Sequence, residues 1–386
     1  MAAKKKSSST NKTTKKVVKK TTKKVVKAAK KDPKILIIVL VVVLVLAGIG
    51  VGGYFLYKHF NEKNHVHKLS DTEISINFLE LGNEYTGDST FIKAGDVDIL
   101  IDAGSRNASA GTISQFVDTY CDDGKLEYVI ATHAHQDHIA GFVGTSTVPG
   151  IFDKYKVETI IDFAQHNTTS KVYNDYVTKR DAEVSEGAKH YTALDCWNQT
   201  NGAKRVYELS KGIEMEILYQ KYYEETTDDE NDYSVCVMFN HGDNHYLFTG
   251  DLEKKGEKSL VESNKLPHVQ LFKGAHHGSY TANTDELLSV IKPEVVCICC
   301  CAGSDEYTST PENMFPAQAA INRLGKYTDK IYVTTVVDEE KKYKSMNGII
   351  TFSSPNGKDY MVKGSNNSTI LKDTEWFKAN RTWPNS

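Results

Sequence analysis

The sequence predicts an α/β protein whose strands form mixed β-sheets, and three observations support this class. First, short apolar segments of strand length recur along residues 72–364. Second, segments with the apolar spacing of helices lie between several of these strands. Third, turn signals such as Gly95-Asp96 and Gly242-Asp243-Asn244 join neighbouring strands directly, which indicates hairpins among the alternating elements.

The first half of the domain is predicted to consist mainly of strands. EISINFLEL predicts a first strand, and STFIKAGDVDILIDAG predicts a hairpin. A helical stretch over 111–120 leads to the strand LEYVIATH, which ends in a histidine-rich loop. The strand VETIIDF comes next, followed by a polar, tyrosine-rich middle segment and by the strand GIEMEILYQ.

The second half continues the alternation. YSVCVMFNHGDNHYLFTGD predicts a hairpin, and VQLFKGAHHGS, EVVCICCC and KIYVTTV predict strands separated by the helices NTDELLSVI and PAQAAINRLG. A final hairpin, GIITFSSPNGKDYMVK, closes the domain. These elements predict one large domain over 72–364 and a C-terminal extension over 365–386.

The N-terminal part of the chain differs sharply in charge. Residues 1–34 contain 14 Lys and one Asp, a net charge of +13, whereas residues 35–57 contain no charged side chain. A helix of this length covers the roughly 30 Å hydrocarbon core of a bilayer, so residues 35–57 predict a single transmembrane helix. A cleaved signal peptide is the alternative, but the basic region before the span is far too long for one. The lysines predict a cytoplasmic N-terminus and place the rest of the chain outside.

The basic tail over 1–34 is predicted to be disordered, because it has almost no apolar bulk. It could bind anionic lipid or nucleic acid nonspecifically, or serve only as a topology signal. A linker over 58–71 joins the span to the folded domain. Removing the +13 of the tail from the net charge of −3 leaves about −16 on residues 58–386.

Three predicted strand ends carry residues that bind metals. ATHAHQDHIAGF follows one strand, Asp251 follows YLFTG, and two histidines follow LFKGA. Imidazoles with carboxylates suit Zn²⁺, Mn²⁺ or Fe. Six or seven donors exceed what one tetrahedral ion needs, so the pattern predicts two divalent ions, Zn or Mn, bridged by a carboxylate. The candidate donors are His133, His135, Asp137, His138, Asp251, His276 and His277.

The order H-x-H-x-D-H, then Gly-Asp at a strand end, then H-H-G-S resembles the metallo-β-lactamase superfamily of hydrolases. It is most similar to the hydrolase domain of ComEC-type DNA-uptake proteins. LIDAG, GDSTFI, NDYSVCVMF, TGDLE, HHGS and Thr310-Pro311 fall in the order of that family over residues 72–364. The resemblance implies an αββα sandwich of two mixed β-sheets flanked by helices, with the metals at one edge.

The resemblance also implies a role for each donor. His133 and His135 would bind the first metal, and Asp137 and His138 the second. Asp251 would bridge the two ions, so that Asp137 and Asp251 both belong to the catalytic centre.

The remaining positions are assigned in the same way. One of the adjacent histidines would complete the second site, with His276 preferred over His277, and His277 could then act as a proton donor. Asp102, which ends the strand ILI, would support the ligand loop from behind. Many members supply a further histidine to the first metal, where this chain has Asn231 and Asp232. Either could be an oxygen ligand, which would favour Mn²⁺ over Zn²⁺.

The expected function is that of a single-pass, membrane-anchored hydrolase whose catalytic domain is extracellular. It would cleave phosphodiesters, DNA among them, with a hydroxide activated by two metal ions. The alternatives are hydrolysis of another envelope ester or phosphodiester of the teichoic-acid type, or a non-catalytic surface module that binds metal or polymer. The charge of about −16 argues against nucleic acid, because Lys and Arg supply most of the affinity for phosphates. A single apolar span excludes DNA transport by this chain alone.

Overall fold

The computed structural model describes residues 66–384, so the predicted basic tail, transmembrane helix and most of the linker lie outside the described residues. No helix between residues 66 and 384 is both long and apolar enough to cross a membrane.

The strands are β1 (Ile74–Phe78), β2 (Thr90–Ala94), β3 (Val97–Ile101), β4 (Lys125–Ile130), β5 (Lys156–Asp162), β6 (Lys189–Thr192), β7 (Val206–Ser210), β8 (Ile213–Leu218), β9 (Cys236–His241), β10 (Asn244–Phe248), β11 (Leu271–Lys273), β12 (Val295–Ala302), β13 (Ile331–Val337), β14 (Tyr343–Ser345), β15 (Ile350–Ser354) and β16 (Met361–Gly364).

Helices cover the sheets on their outer sides. They are α1 (Ser109–Val117), α2 (Gln136–Val143), α3 (Ile151–Lys154), α4 (Lys171–Ser185), α5 (Ala193–Asn198), α6 (Lys254–Ser263), α7 (Asp285–Ile291), α8 (Gln318–Leu324) and α9 (Glu375–Asn380).

The strands form two eight-stranded sheets with the orders β16-β15-β1-β2-β3-β4-β5-β6 and β14-β13-β12-β11-β10-β9-β8-β7. In the first sheet, the pairs from β16 to β3 are antiparallel and those from β3 to β6 are parallel. In the second, β10 to β13 pair in parallel and the outer pairs are antiparallel. Both sheets are therefore mixed, as the sequence predicts.

The main core lies where the two sheets face each other. Phe78 of the first sheet stacks on Phe248 of the second with ring centroids 6.0 Å apart, and Phe239 meets Phe248 edge-on at 5.6 Å. A second apolar cluster lies between the second sheet and its helices, with Leu260 and Leu288 fully buried in it. The layers are thus helix, sheet, sheet and helix.

Strand β12 shows how the sequence specifies a central position. All eight of its residues, VVCICCCA, are buried. A parallel strand that is covered on both faces is apolar throughout rather than alternating. The cysteines serve here as small apolar side chains, and each of the seven cysteines of the chain is a buried free thiol.

Helix α4 occupies the tyrosine-rich middle segment, where the sequence analysis assigned no element. Its composition is mostly polar, and only Tyr176 and Glu183 are buried. Ser170 defines its start, because the side chain accepts a hydrogen bond from the backbone N–H of Tyr173. A helix with so narrow an apolar face gives little periodic signal.

The predicted C-terminal extension packs against the domain. Leu371 and Phe377 are buried in the second apolar cluster. The Arg381 guanidinium donates to the carbonyl oxygens of Pro316 at 3.0 Å and of Met314 at 2.7 Å. Residues 365–384 therefore fix the segment that follows β12.

We predict that Phe248→Ala lowers the free energy of unfolding by about 3–5 kcal/mol, because it opens a cavity between the two sheets. Urea unfolding followed by circular dichroism measures the change. Met361→Ala is the matched control, since Met361 is 62% exposed and its loss should change stability by less than about 0.5 kcal/mol. Equal effects of the two substitutions on the free energy of unfolding would contradict the packing of Phe248 between the two sheets.

Candidate metal centre

The candidate donors lie at one edge of the sandwich because the strands before them end there. In the first sheet, Asp102 follows β3 and the histidine-rich segment follows β4, which is parallel to β3. In the second sheet, Asp251 follows β10, and the adjacent histidines follow β11, which is parallel to β10. Carboxyl ends of parallel strands meet at the same edge, where ligand sites form in α/β folds.

Two histidines, His138 and His277, converge on Asp251 and Asp137. His138 Nε2 lies 3.1 Å and His277 Nε2 3.2 Å from Asp251 Oδ2. His277 Nε2 also lies 3.2 Å from Asp137 Oδ2. All four side chains are buried, and we call them the buried cluster. Imidazole nitrogens and carboxylate oxygens at such spacing form a donor set that suits a divalent cation.

His133 and His135 form a second pair of donors beside the buried cluster. His133 Nε2 lies 3.1 Å from His135 Nδ1, and the ring centroid of His133 is 4.1 Å from that of His138. Burial lowers the pKa of His133 well below its usual value, and the neighbouring His138 and His135 lower it further. His133 is therefore a neutral imidazole, the form that binds metal ions.

The buried cluster is fixed from behind by hydrogen bonds. Asp102 accepts from the backbone N–H and the hydroxyl of Thr132, both at 2.8 Å, and from His138 Nδ1 at 2.7 Å. His277 Nδ1 donates to the carbonyl oxygen of Cys299 at 2.8 Å. With both Nδ1 atoms occupied in this way, the Nε2 atoms of the two histidines face Asp251, which is how proteins orient metal-binding imidazoles.

Electrostatics in the buried cluster favours positive charge. Burial opposes a charged His277, but Asp251 and Asp88 outweigh it and raise its pKa to about 10. Burial likewise raises the pKa of Asp251, whereas His138, His277 and Lys273 outweigh it and hold that pKa well below the usual value. The carboxylates are therefore ionised and attract cations.

The structure brings His277 rather than His276 into the buried cluster, which differs from the predicted assignment. His276 is half-buried, and its Nδ1 lies 3.1 Å from Glu253 Oε1. Both histidines have left-handed backbone conformations, with φ of 47° and 51°. In this tight turn, consecutive side chains point in different directions, and only His277 reaches Asp251.

The two residues proposed to replace the missing histidine behave differently. Asp232 Oδ1 accepts the backbone N–H of Glu253 at 3.2 Å, just before α6, and burial together with Asp229 raises the pKa of Asp232 to about 6. Asp232 thus has a local role at the start of that helix. Asn231 Oδ1 is buried and has no hydrogen-bond partner among the described residues, so it is a free oxygen donor in this turn.

Sequence reasoning missed Lys273 and Tyr307. The Lys273 ammonium group contacts Asp88 and lies 3.4 Å from Asp251 Oδ1. Burial opposes its charge, but these carboxylates outweigh it and raise its pKa. Lys273 ends an otherwise apolar buried strand, and this position could have indicated from the sequence that it belongs to the site. The Tyr307 hydroxyl donates to Asp137 Oδ2 at 2.8 Å, and its loop position carried no signal.

Two mixed sheets with helices outside and a buried histidine–aspartate cluster at one edge define an α/β sandwich with a candidate metal centre. Residues 82–144 match the family model of the metallo-beta-lactamase superfamily. This match confirms the predicted resemblance to the superfamily, whose members are metal-dependent hydrolases.

Among curated relatives, Recombination protein 2 of Haemophilus influenzae is 28% identical over 126 residues, which cover 33% of this chain and 15% of that protein. Competence protein ComA of Neisseria gonorrhoeae is 23% identical over 249 residues, 64% of this chain and 29% of that protein. The aligned parts thus span less than a third of either relative. The metallo-beta-lactamase fold protein YhfI of Bacillus subtilis aligns with a TM-score of 0.36 and 9% identity, over 73% of this chain and all of that one.

We predict that His277→Ala lowers the number of bound Zn²⁺ or Mn²⁺ ions per chain, whereas His276→Ala leaves it unchanged. The reason is that only His277 faces Asp251. Metal content after dialysis, measured by mass spectrometry, distinguishes the two. Metal loss in His276→Ala alone would reverse the assignment.

We also predict that Asp102→Asn weakens metal binding about 10- to 100-fold, since it removes the carboxylate that orients His138. Isothermal titration with Zn²⁺ measures the affinity. Asp98→Asn, in the strand that precedes Asp102, is the control, because Asp98 is equally buried but pairs with Lys93. The role given to Asp102 fails if both variants bind metal equally well.

Proposed function

We propose that this chain is a membrane-anchored, extracytoplasmic metal-dependent phosphodiesterase that acts on nucleic acid. The observation that carries the proposal is the convergence of two donor sets on one edge of the sandwich. One set contains His133 and His135, and the other is the buried cluster around Asp251. Such neighbouring sets suit the two-ion centres of enzymes that cleave phosphate esters.

In this proposal, His133 and His135 would hold one divalent ion, with Asn231 as a further oxygen donor. The buried cluster would hold the other ion, and Asp251 would contribute Oδ2 to it, because Oδ1 faces Lys273. When bound, two such ions lower the pKa of a water molecule and polarise the phosphoryl group.

The protein's own residues prepare this chemistry. Asp102 and the Cys299 carbonyl fix the rings of His138 and His277. Lys273 offsets part of the negative charge of Asp88 and Asp251, so the buried carboxylates can lie close together. Because His277 belongs to the buried cluster, His276 is the better placed of the pair for moving a proton, with Glu253 beside it.

The names of the relatives support nucleic acid as the substrate, since those proteins are described as recombination and competence proteins. The charge of about −16 on residues 58–386 favours a second candidate, an envelope phosphodiester of the teichoic-acid type. A non-catalytic module is less well supported, because an unused site would not need every donor in place.

The location rests on the apolar segment 35–57 and the lysines before it. We propose an anchor there with the N-terminus inside the cell, followed by the linker over 58–71 and the hydrolase domain over 72–364.

We predict that the full-length protein cleaves single- or double-stranded DNA with Mn²⁺ or Zn²⁺, and that His135→Ala and Asp251→Asn each lower the rate more than about 100-fold. Loss of a ligand should exceed the 10- to 100-fold cost of losing a supporting hydrogen bond. Gel analysis of labelled DNA measures the rate.

His268→Ala is the matched control, because His268 is a surface histidine that pairs with Glu294. Cleavage that persists in Asp251→Asn would show that the activity does not come from this centre. Metal binding without DNA cleavage would favour the envelope phosphodiester.

A further inference from the structure

Tyr307 lies at the boundary between the metal centre and solvent. Its hydroxyl donates to Asp137 Oδ2 at 2.8 Å, and the same oxygen lies 3.2 Å from His277 Nε2. Yet 52% of the residue is exposed. Its polar end is therefore inside the centre, while part of its ring is open to a ligand.

The position of this ring is fixed by its neighbours. Glu306 accepts from Arg106 Nη2 at 2.6 Å and from the backbone N–H of Thr86 at 3.0 Å, which ties the loop after β12 to loops of the first sheet. The ring of Tyr307 also packs on Phe315, with centroids 5.6 Å apart. A ring that is already held in place loses little conformational freedom when a ligand binds to it.

Two further exposed tyrosines, Tyr85 and Tyr280, lie close in sequence to residues of the centre. Among the described residues, eight large apolar or aromatic side chains are exposed, and four of them are tyrosines. Tyr85 precedes Asp88 by three residues, and Tyr280 follows His277 by three. The Arg106 guanidinium lies over the Tyr85 ring, 3.7 Å from its centroid. Aromatic faces beside a phosphate site are the typical surface for unpaired bases.

We infer that Tyr307 is a base-binding residue, whose ring stacks on an unpaired nucleobase next to the phosphodiester held at the centre. That the centre holds and cleaves a phosphodiester rests on the proposed function. Binding of the base can be measured separately from cleavage. A poly(glycerol phosphate) chain offers no ring for such stacking, and a duplex keeps its bases paired. The inference therefore selects single-stranded nucleic acid as the ligand.

The test compares a fluorescent single-stranded oligonucleotide with an abasic strand of equal length. Binding to the full-length, metal-loaded protein is measured by anisotropy at moderate salt and low temperature, over times in which a gel detects no cleavage of either strand. The lysine-rich tail contributes equally to both strands, because it contacts phosphates. The readout is the ratio of the two dissociation constants, abasic over base-containing.

The wild-type ratio should be at least about fivefold, the lower end of the effect of one stacked base. It should fall towards one in Tyr307→Leu and Tyr307→Gln, and persist in Tyr307→Phe. Tyr360→Leu is the control, since Tyr360 bonds Glu294 at the opposite end of β12. A wild-type ratio near one, or an unchanged ratio in both ring-less variants, overturns the inference. Failure to cleave either strand with Mn²⁺ or Zn²⁺ would remove the proposed nuclease function but not the binding ratio.

Discussion

The carboxylate of Asp251 is the point on which the centre depends. Its Oδ2 faces His138 and His277, and its Oδ1 faces Lys273. Burying an ionised carboxylate costs several kcal/mol unless charges and hydrogen bonds compensate for it. The strand ends of both sheets supply those partners, because β10 and β11 lie side by side in the second sheet and His138 comes from the segment after β4.

The supporting residues explain why this arrangement is stable and why it attracts cations. Asp102 and the Cys299 carbonyl occupy the Nδ1 atoms, so both imidazoles present Nε2 to the interior. Lys273 partly neutralises Asp88 and Asp251, but Asp137 remains as a further buried carboxylate. Divalent ions are the partners that complete the charge balance of such a set.

Local sequence patterns were enough to predict the alternating elements and most donors. H-x-H-x-D-H after one strand and Gly-Asp after another carry the family resemblance, and that resemblance implied that His138 and Asp251 meet, although they follow strands of different sheets. The choice between His276 and His277 could not be predicted, since it depends on two left-handed residues in a turn. Helix α4 was missed because its surface is almost wholly polar.

Contacts between distant loops also left no sequence signal. Tyr307 reaches Asp137 across 170 positions, and Glu306 bonds Arg106 across 200. The position of Asp232 before the Gly-Asp motif predicts a metal ligand, whereas the structure shows its carboxylate accepting the backbone N–H of Glu253 at the start of α6. Such roles are set by packing between the two sheets rather than by the neighbours in sequence.

Anomalous X-ray diffraction from crystals of the metal-loaded protein tests the central claim most directly, with data collected on both sides of the Zn or Mn absorption edge. The account predicts one peak among His138, His277, Asp251 and Asp137, and a second beside His133 and His135. A fully loaded protein with its ion at His276 and Glu253, and with no peak in the buried cluster, would contradict it.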